Sequence, residues 1–459
     1  MQNIISYINS NKDKYVEELK EFLAIPSIST NPENKKDVND CAEYVKKQFE
    51  SIGLEHVKVY PTPGHPIVYG DWLHAGDDKP TLLIYGHYDV QPVDPIELWT
   101  NPPFEATVRG DNIFARGSVD DKGQVYVHVK ALQAHLANNK SLPINVKFIC
   151  EGEEEIGSAN LDAFLEQQKE LLKCDYIVIS DTAMYDYDMP SICYGLRGLT
   201  YMQVEVTGPN RDLHSGSFGG AVHNPINALA EIICKLKDEH GKILIDGFYD
   251  DVTPLTDKER EEFKRLPFDV ERYKKGLDVD DIHGEEGYST LERTWARPTL
   301  DCNGIWGGFQ GEGAKTVLPS KAGAKISMRL VPNQDPDKIE KLFTDYIHKI
   351  APKSVKVKVI GGHNGKPAVT PIDSDAINAA VEALKKGFGK DPVFMKEGGS
   401  IPIVTTFKDI LGSDTVLLGF GLPDENAHSP DEHMNLKNFQ RGILSVAYFY
   451  DELAKARKK

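Results

Sequence analysis

Five short segments of this 459-residue chain hold the residue types that bind and use metal ions. The first is Tyr85-Gly86-His87-Tyr88-Asp89-Val90. His87 and Asp89 stand two positions apart, so in extended chain they point to one face. A metal-bound imidazole usually donates its other ring N–H to a carboxylate or carbonyl, which fixes its tautomer. Asp89 is placed in sequence to be that acceptor. The second segment, residues 115–123, contains the adjacent Asp120 and Asp121. A carboxylate there could bridge two cations with its two oxygens, or the pair could simply form a turn and a helix cap. The third, Glu151-Gly152-Glu153-Glu154-Glu155-Ile156-Gly157-Ser158, packs four acids into five positions. Like charges that close raise one another's pKa unless a cation compensates. One of two neighbouring glutamates can bind metal while the other acts as general base toward an activated water. The fourth and fifth segments place Asp181 after Ile179-Ser180 and His428 within Asn426-Ala427-His428-Ser429-Pro430.

Taken singly, each segment has a plain structural reading: a satisfied histidine near a turn, a helix cap, a solvated acidic loop. Together they supply two imidazoles and several carboxylates from distant parts of the chain. Mixed nitrogen and oxygen ligation suits Zn²⁺, with Mn²⁺ as the alternative, and is too rich in imidazole for Mg²⁺ or Ca²⁺. Two such cations roughly 3.5–4 Å apart activate water near neutral pH and polarise a scissile carbonyl.

The elements that must position these residues follow from periodicity. Residues 41–52 read as a helix, with Val45, Phe49 and Ile52 at helical spacing. Residues 81–85, 145–150 and 175–180 are short apolar runs of buried-strand type, and residues 123–136 read as a helix between them. Strands alternating with helices argue for a layered α/β domain. In open α/β sheets ligands bind outside the carboxyl ends of the strands, and each of the five segments is read as placing a His or carboxylate at such an end or in the loop after it. The texture changes after about Gly195. Residues 199–207 alternate as a half-solvated antiparallel strand. A helix over 225–240, a charged stretch over 246–288, a strand over 324–330, a helix over 335–350 and a strand over 355–360 follow. Residues 376–387 (helix), 415–420 (strand) and 436–456 (long helix) return to the first texture. The expected fold class is therefore α/β: a mixed-sheet α/β domain built from residues 1–195 and 367–459, interrupted by an inserted α+β domain over 196–366.

Composition narrows the function classes. Hydrophobic residues at 40% and charged residues at 27% are ordinary for a globular chain. A formal net charge of −17 repels phosphate backbones, so nucleic acid is excluded as a partner. There is no apolar run of about 20 residues to span a membrane and no signal-peptide-like start, so no membrane partner and a cytoplasmic location are expected. The six cysteines are scattered, with no C-x-x-C pair, which argues against a zinc finger or a disulfide framework.

His87-Tyr88-Asp89-Val90-Gln91-Pro92, Arg116-Gly117 through Asp120-Asp121-Lys122-Gly123, and Glu154-Glu155-Ile156-Gly157-Ser158 resemble the di-metal peptidases that include aminoacylase, carnosinase and glutamate carboxypeptidase. Arg211-Asp212-Leu213-His214-Ser215-Gly216, Lys315 to Pro319, Ser327 to Pro332 and Glu397 to Pro402 are similar to the carnosinase and cytosolic non-specific dipeptidase branch. The similarity runs over nearly the whole chain, in the family's order. It implies that His87, Asp120 and Asp181 hold one cation, and that Asp120, Glu155 and His428 hold the other. It implies that Asp89 orients His87 and that Glu154 is the general base. The Glu153-Glu154-Glu155 run also admits a register shifted by one, although Gly157-Ser158 aligns best with Glu154 and Glu155 in those roles. The resemblance further implies a cis peptide at Asp120–Asp121. It implies that the 1–195 and 367–459 domain is catalytic and that the inserted 196–366 domain is a lid and dimerisation domain of a homodimer, in which His214 reaches the partner's site to stabilise the oxyanion, an effect worth roughly 10²–10³ in rate. Arg329 and Ser400 match positions that hold the substrate carboxylate, and Thr316 and His363 match further substrate contacts. The implied reaction is hydrolysis of dipeptides or short peptides with a free C-terminal carboxylate. An N-acyl amino acid deacylase with the same metals is the rival reading, and a catalytically silent binding protein or an acidic calcium binder is disfavoured by the complete donor set.

Overall fold

The computed structural model describes residues 1–399 and 401–456, apart from the side chains of Lys258, His363 and Pro402. The chain divides into two compact units, one of Met1–Tyr194, Thr370–Met395 and Thr406–Lys459, the other of Gly195–Val369 and Lys396–Thr405. The second unit thus takes in residues 396–405, a short excursion beyond the expected boundaries.

In the first unit, α1 (Lys35–Ile52) buries Val38, Ala42, Val45, Phe49 and Ile52. Their spacing of three and four places them on one helical face. The helix stops at Gly53, whose φ of 93° is the left-handed conformation that glycine adopts without a Cβ clash. Next come β1 (Glu55–Tyr60), β2 (Ile67–Trp72), β3 (Thr81–His87), α2 (Lys122–Asn139), β4 (Asn145–Glu151), β5 (Tyr176–Ile179) and β6 (Ser191–Leu196). The chain then runs through the second unit: β7 (Gly198–Thr207), α3 (Pro225–Cys234), β8 (Thr299–Gly307), β9 (Lys321–Leu330), α4 (Pro336–Ile350) and β10 (Lys356–Gly365). It returns as α5 (Asp375–Phe388), β11 (Asp414–Leu417) and α6 (Leu436–Leu453).

The large sheet runs β1-β2-β4-β3-β5-β11-β6, and two further strands, Ala368–Val369 and Val393–Glu397, both pair with β6. Its centre, β4-β3-β5-β11, is parallel, and β1, β2 and β6 are antiparallel additions. The central strands are buried on both faces, which is why they read as unbroken apolar runs instead of alternating ones. Helix α2 is buried around most of its circumference, from Lys122 to Ala134, and α6 packs against it and against α5. Because β3, β4 and β5 run the same way, His87, Glu151 and Ile179 finish at one edge of the sheet.

The second unit is an antiparallel sheet of order β8-β9-β7-β10. β7 alternates buried and half-exposed along its length. Its buried face, Met202, Val204 and Val206, meets Ala228, Leu229 and Ile232 of α3 and Ile339, Phe343 and Ile347 of α4. The architecture is the expected mixed α/β unit interrupted by an α+β unit. Two local expectations fail. The helix expected over 225–240 ends at Cys234, because Lys237 pairs with Ile243 across a turn at Gly241 (φ 79°). Strand β8 was not anticipated. It is an edge strand that buries little besides Leu300, so its sequence carries no apolar alternation. Among the described residues, no helix is long and apolar enough to cross a membrane.

Candidate metal centre

His87 is the last residue of β3 and is fully buried. Its backbone N–H donates to Asp121 Oδ2 at 3.2 Å. Gly86 before it has no room for a side chain: a Cβ would lie 2.4 Å from Val125 Cγ2 and 2.8 Å from Asp121 Oδ2. The strand end is thereby pressed against the start of α2. His87 Nδ1 lies 3.1 Å from the Asp89 carbonyl oxygen and 3.3 Å from Asp89 Oδ1. With Nδ1–H donating there, the Nε2 lone pair faces the site. It meets two carboxylates, Asp120 Oδ1 at 3.1 Å and Asp181 Oδ2 at 3.9 Å.

Asp120 is the hub. Its second oxygen, Oδ2, lies 2.8 Å from His428 Nε2, and His428 Nε2 is 3.2 Å from Glu155 Oε2. Two donor triplets result, His87/Asp120/Asp181 and Asp120/Glu155/His428, in each of which the donor atoms all lie within 4.8 Å of one another. The Asp120–Asp121 peptide is cis. His428 itself has a left-handed backbone, φ 62°, a conformation uncommon for non-glycine residues.

The acidic run resolves into separate environments. Glu153 turns away, accepting from the His65 N–H at 2.9 Å and from the Asn160 amide at 2.8 Å. Glu155 faces the donors, with Gln91 Nε2 donating to its Oε2 at 2.8 Å. The backbone N–H groups of Glu154 and Glu155 both donate to Asp89, at 3.2 and 3.1 Å. Burial, and after it the charges of Asp181, Glu155 and Asp120, push the Glu154 carboxyl well above the usual range, against the opposing pull of His87.

The donors fit divalent cations chemically. Several carboxylates converge with two imidazoles, His87 fully buried and His428 half exposed, and such an arrangement demands added positive charge. In the bare chain that demand falls on the imidazoles. Contacts with Asp120 and Glu155 push His428 up to about 10. Burial pulls His87 down, yet Asp120 and Asp89 together hold it well above its ordinary value. Cations would satisfy the same demand with bare imidazole lone pairs as ligands.

The remaining candidates lie in the second unit or outside the described residues. His214 is exposed on a two-residue strand opposite Val317, and the Thr316 carbonyl accepts from the Ser215 N–H at 3.1 Å. Arg329 is half-buried on β9 opposite Leu199 and Thr299. It lines a cavity of about 440 Å³ that Arg197 also lines. The side chain of His363 and the whole of Ser400 lie outside the described residues. Gln91 and Glu432 have no assigned role in the sequence analysis, and Asp121 enters it only through the adjacent Asp pair, not as the acceptor of the His87 N–H. Each acts by bonding backbone or another ligand, a role that residue type and spacing do not announce.

Residues 83–452 match peptidase family M20/M25/M40. The chain belongs to that family. It is 34% identical to the Cys-Gly metallodipeptidase dug1 of Schizosaccharomyces pombe, over 99% of this chain and 98% of the relative. It is 32% identical to the human Beta-Ala-His dipeptidase, over 99% of this chain and 93% of the relative. Among solved structures it superposes on the M20 family metallo-carboxypeptidase Sso-CP2 from Sulfolobus solfataricus with a TM-score of 0.85 and 36% identity, covering 96% and 99% of the two chains. Membership places the protein among enzymes that hydrolyse peptide bonds.

Proposed function

We propose that this protein is a metallodipeptidase that hydrolyses dipeptides, or short peptides with a free C-terminal carboxylate, using two divalent cations per subunit, Zn²⁺ first and Mn²⁺ second. The single observation behind the reading is Asp120, whose two oxygens face two different imidazoles at 3.1 and 2.8 Å. His87, Asp120 and Asp181 would hold one cation, and Asp120, Glu155 and His428 the other. The bound pair would lower the pKa of a water and polarise the scissile carbonyl. Glu154 takes the proton from the attacking water and delivers it to the leaving amine. Two facts support that choice over Glu153: Glu154 shares the electrostatic environment of the donors, and Glu153 is spent on His65 and Asn160. Asp89 holds the His87 ring and the backbone of the Glu154–Glu155 turn.

The second unit supplies the remaining roles in this reading. His214 stabilises the oxyanion in the partner's site of a homodimer, supported by its exposure. Arg329 pairs with the substrate carboxylate as a planar fork, a role it shares with Ser400, and Thr316 and His363 make further substrate contacts. Five cationic side chains, Arg197 and Arg329 among them, line the shared cavity against two carboxylates, Glu285 and Asp301, so it favours an anion. The two relatives are named for different dipeptides, Cys-Gly and β-Ala-His, so preference must be measured.

The test is hydrolysis by chelator-stripped and by Zn²⁺- or Mn²⁺-reconstituted protein, against a dipeptide panel and N-acetyl amino acids. Stripping abolishes turnover, reconstitution restores it, and dipeptides exceed N-acetyl amino acids in kcat/KM. Glu154→Gln lowers kcat by about 10²–10⁴, the usual range for a general base. Undiminished turnover in that variant, or faster cleavage of N-acetyl amino acids, sinks the reading.

A further inference from the structure

Glu432 is completely buried, four residues past His428. A carboxylate in such a place costs several kcal/mol unless its lone pairs are filled. Here they are filled from one loop. Oε2 accepts from Arg116 Nη1 at 2.7 Å and from the Gly117 N–H at 3.0 Å. Oε1 accepts from the Val119 N–H at 3.0 Å and from the Asp120 N–H at 3.2 Å. The Glu432 carbonyl also accepts from the Ala115 N–H at 3.1 Å. Arg116, equally buried, is fixed in turn by the Pro92 carbonyl at 2.8 Å. Gly117, at φ 85°, lets the loop curl around the carboxylate. The side chain of Glu432 belongs to neither donor triplet.

We infer that Glu432 is a positioning residue: from the segment that carries His428 it grips the loop that carries Asp120, and thereby sets the spacing between the shared aspartate and both imidazoles. This rests on the reading of Asp120 as the ligand common to two cations. A loop held only by its own peptide bonds would let Asp120 drift relative to His428. The four bonds to Glu432, one of them to Asp120's own N–H, remove that freedom before any ion arrives. Neighbouring Glu425 is a separate brace. It accepts from the Leu422 and Asn435 N–H groups and closes the His428 segment on itself, without reaching the Asp120 loop.

The experiment titrates Co²⁺ into metal-stripped protein, follows the visible absorption of the bound ion, and measures hydrolysis alongside. The proteins are wild type, Glu432→Gln, Glu432→Asp and, as a buried-carboxylate control remote from the donors, Asp71→Asn. The glutamine keeps the shape but turns an NH₂ group toward N–H donors. The aspartate keeps the charge but falls one methylene short. Wild type takes up two equivalents. Both Glu432 variants bind at least about ten-fold more weakly, in line with the loss when a ligand's support is removed, and their hydrolysis recovers as Co²⁺ is raised. Asp71→Asn stays within about two-fold of wild type under the same bound. Recovery with excess ion separates mispositioning from collapse of the fold. If Glu432→Gln does not fold, Glu432→Asp decides alone. Wild-type affinity in a folded Glu432 variant overturns the positioning role and leaves the di-metal reading intact. No cobalt uptake by wild type overturns both.

Discussion

Asp89, two residues beyond the end of β3, faces three donors at once: the His87 ring and the backbone N–H groups of Glu154 and Glu155. One carboxylate thus couples the orientation of the His87 imidazole to the placement of the acidic turn. Asparagine at this position would fill the same volume, but its NH₂ group would confront an N–H with no acceptor. Asp89→Asn therefore weakens cation binding by about 10–100-fold, the usual effect of losing such support. Competition against a chromophoric chelator measures it, and unchanged affinity would remove Asp89 from the centre. The convergence of His87, Asp120, Asp181, Glu155 and His428 is legible in the sequence because metal chemistry needs those residue types from distant segments. Gln91 and Glu432 are not, because they act on a ligand or on backbone, and any polar residue in a loop looks alike until the partner is known.

At the scale of elements, α2 shows how the fold treats ionisable groups away from the centre. His128 is buried on it, with Nε2 2.8 Å from Ser180 Oγ and Nδ1 3.3 Å from the Tyr450 hydroxyl. Burial lowers its pKa from 6.5 to about 3, so the folded protein keeps it neutral where the unfolded chain would protonate. The unfolded state then binds more protons between roughly pH 6.5 and 3, and stability falls as pH falls through that window, by at most about 1.4 kcal/mol per pH unit. Above pH 6.5 both states are neutral and His128 adds no pH dependence. In urea melts of the metal-stripped protein, His128→Gln therefore loses less stability than wild type between pH 7 and pH 5. Parallel pH profiles for the two proteins would refute the assignment. The strands that flank this helix were readable as continuous apolar runs because both their faces are covered. β8 was unreadable for the opposite reason, since an exposed edge strand needs no apolar pattern. The stop of α3 at Cys234, short of the expected residue 240, has another cause, a local pairing of Lys237 with Ile243 that no helical periodicity contains.

At the scale of the whole molecule, edge strand β8 has a sheet neighbour on only one side among the described residues, and around it Ile305 (58% exposed), Phe309 (46%) and Trp306 (36%) are exposed. Exposed edges and apolar side chains on a chain with net charge −17 invite a specific partner, since natural sheets otherwise shield such edges. A second copy of the chain is the partner required by the proposal that His214 serves the other subunit's site. Two crippled variants test that proposal together. His214→Ala keeps Glu154, and Glu154→Gln keeps His214, so each homodimer is impaired at both sites. In a hybrid dimer, one site combines an intact Glu154 with the partner's intact His214. An equimolar mixture, allowed to exchange subunits, holds about half hybrids with one such site each, and therefore regains about a quarter of wild-type turnover. A histidine that served its own subunit would give no gain, because every site in the mixture would still lack one of the two groups. Light scattering of the wild type, giving twice the chain mass of 51.1 kDa, is the companion measurement, and a monomer that hydrolyses dipeptides at full rate would exclude the shared site.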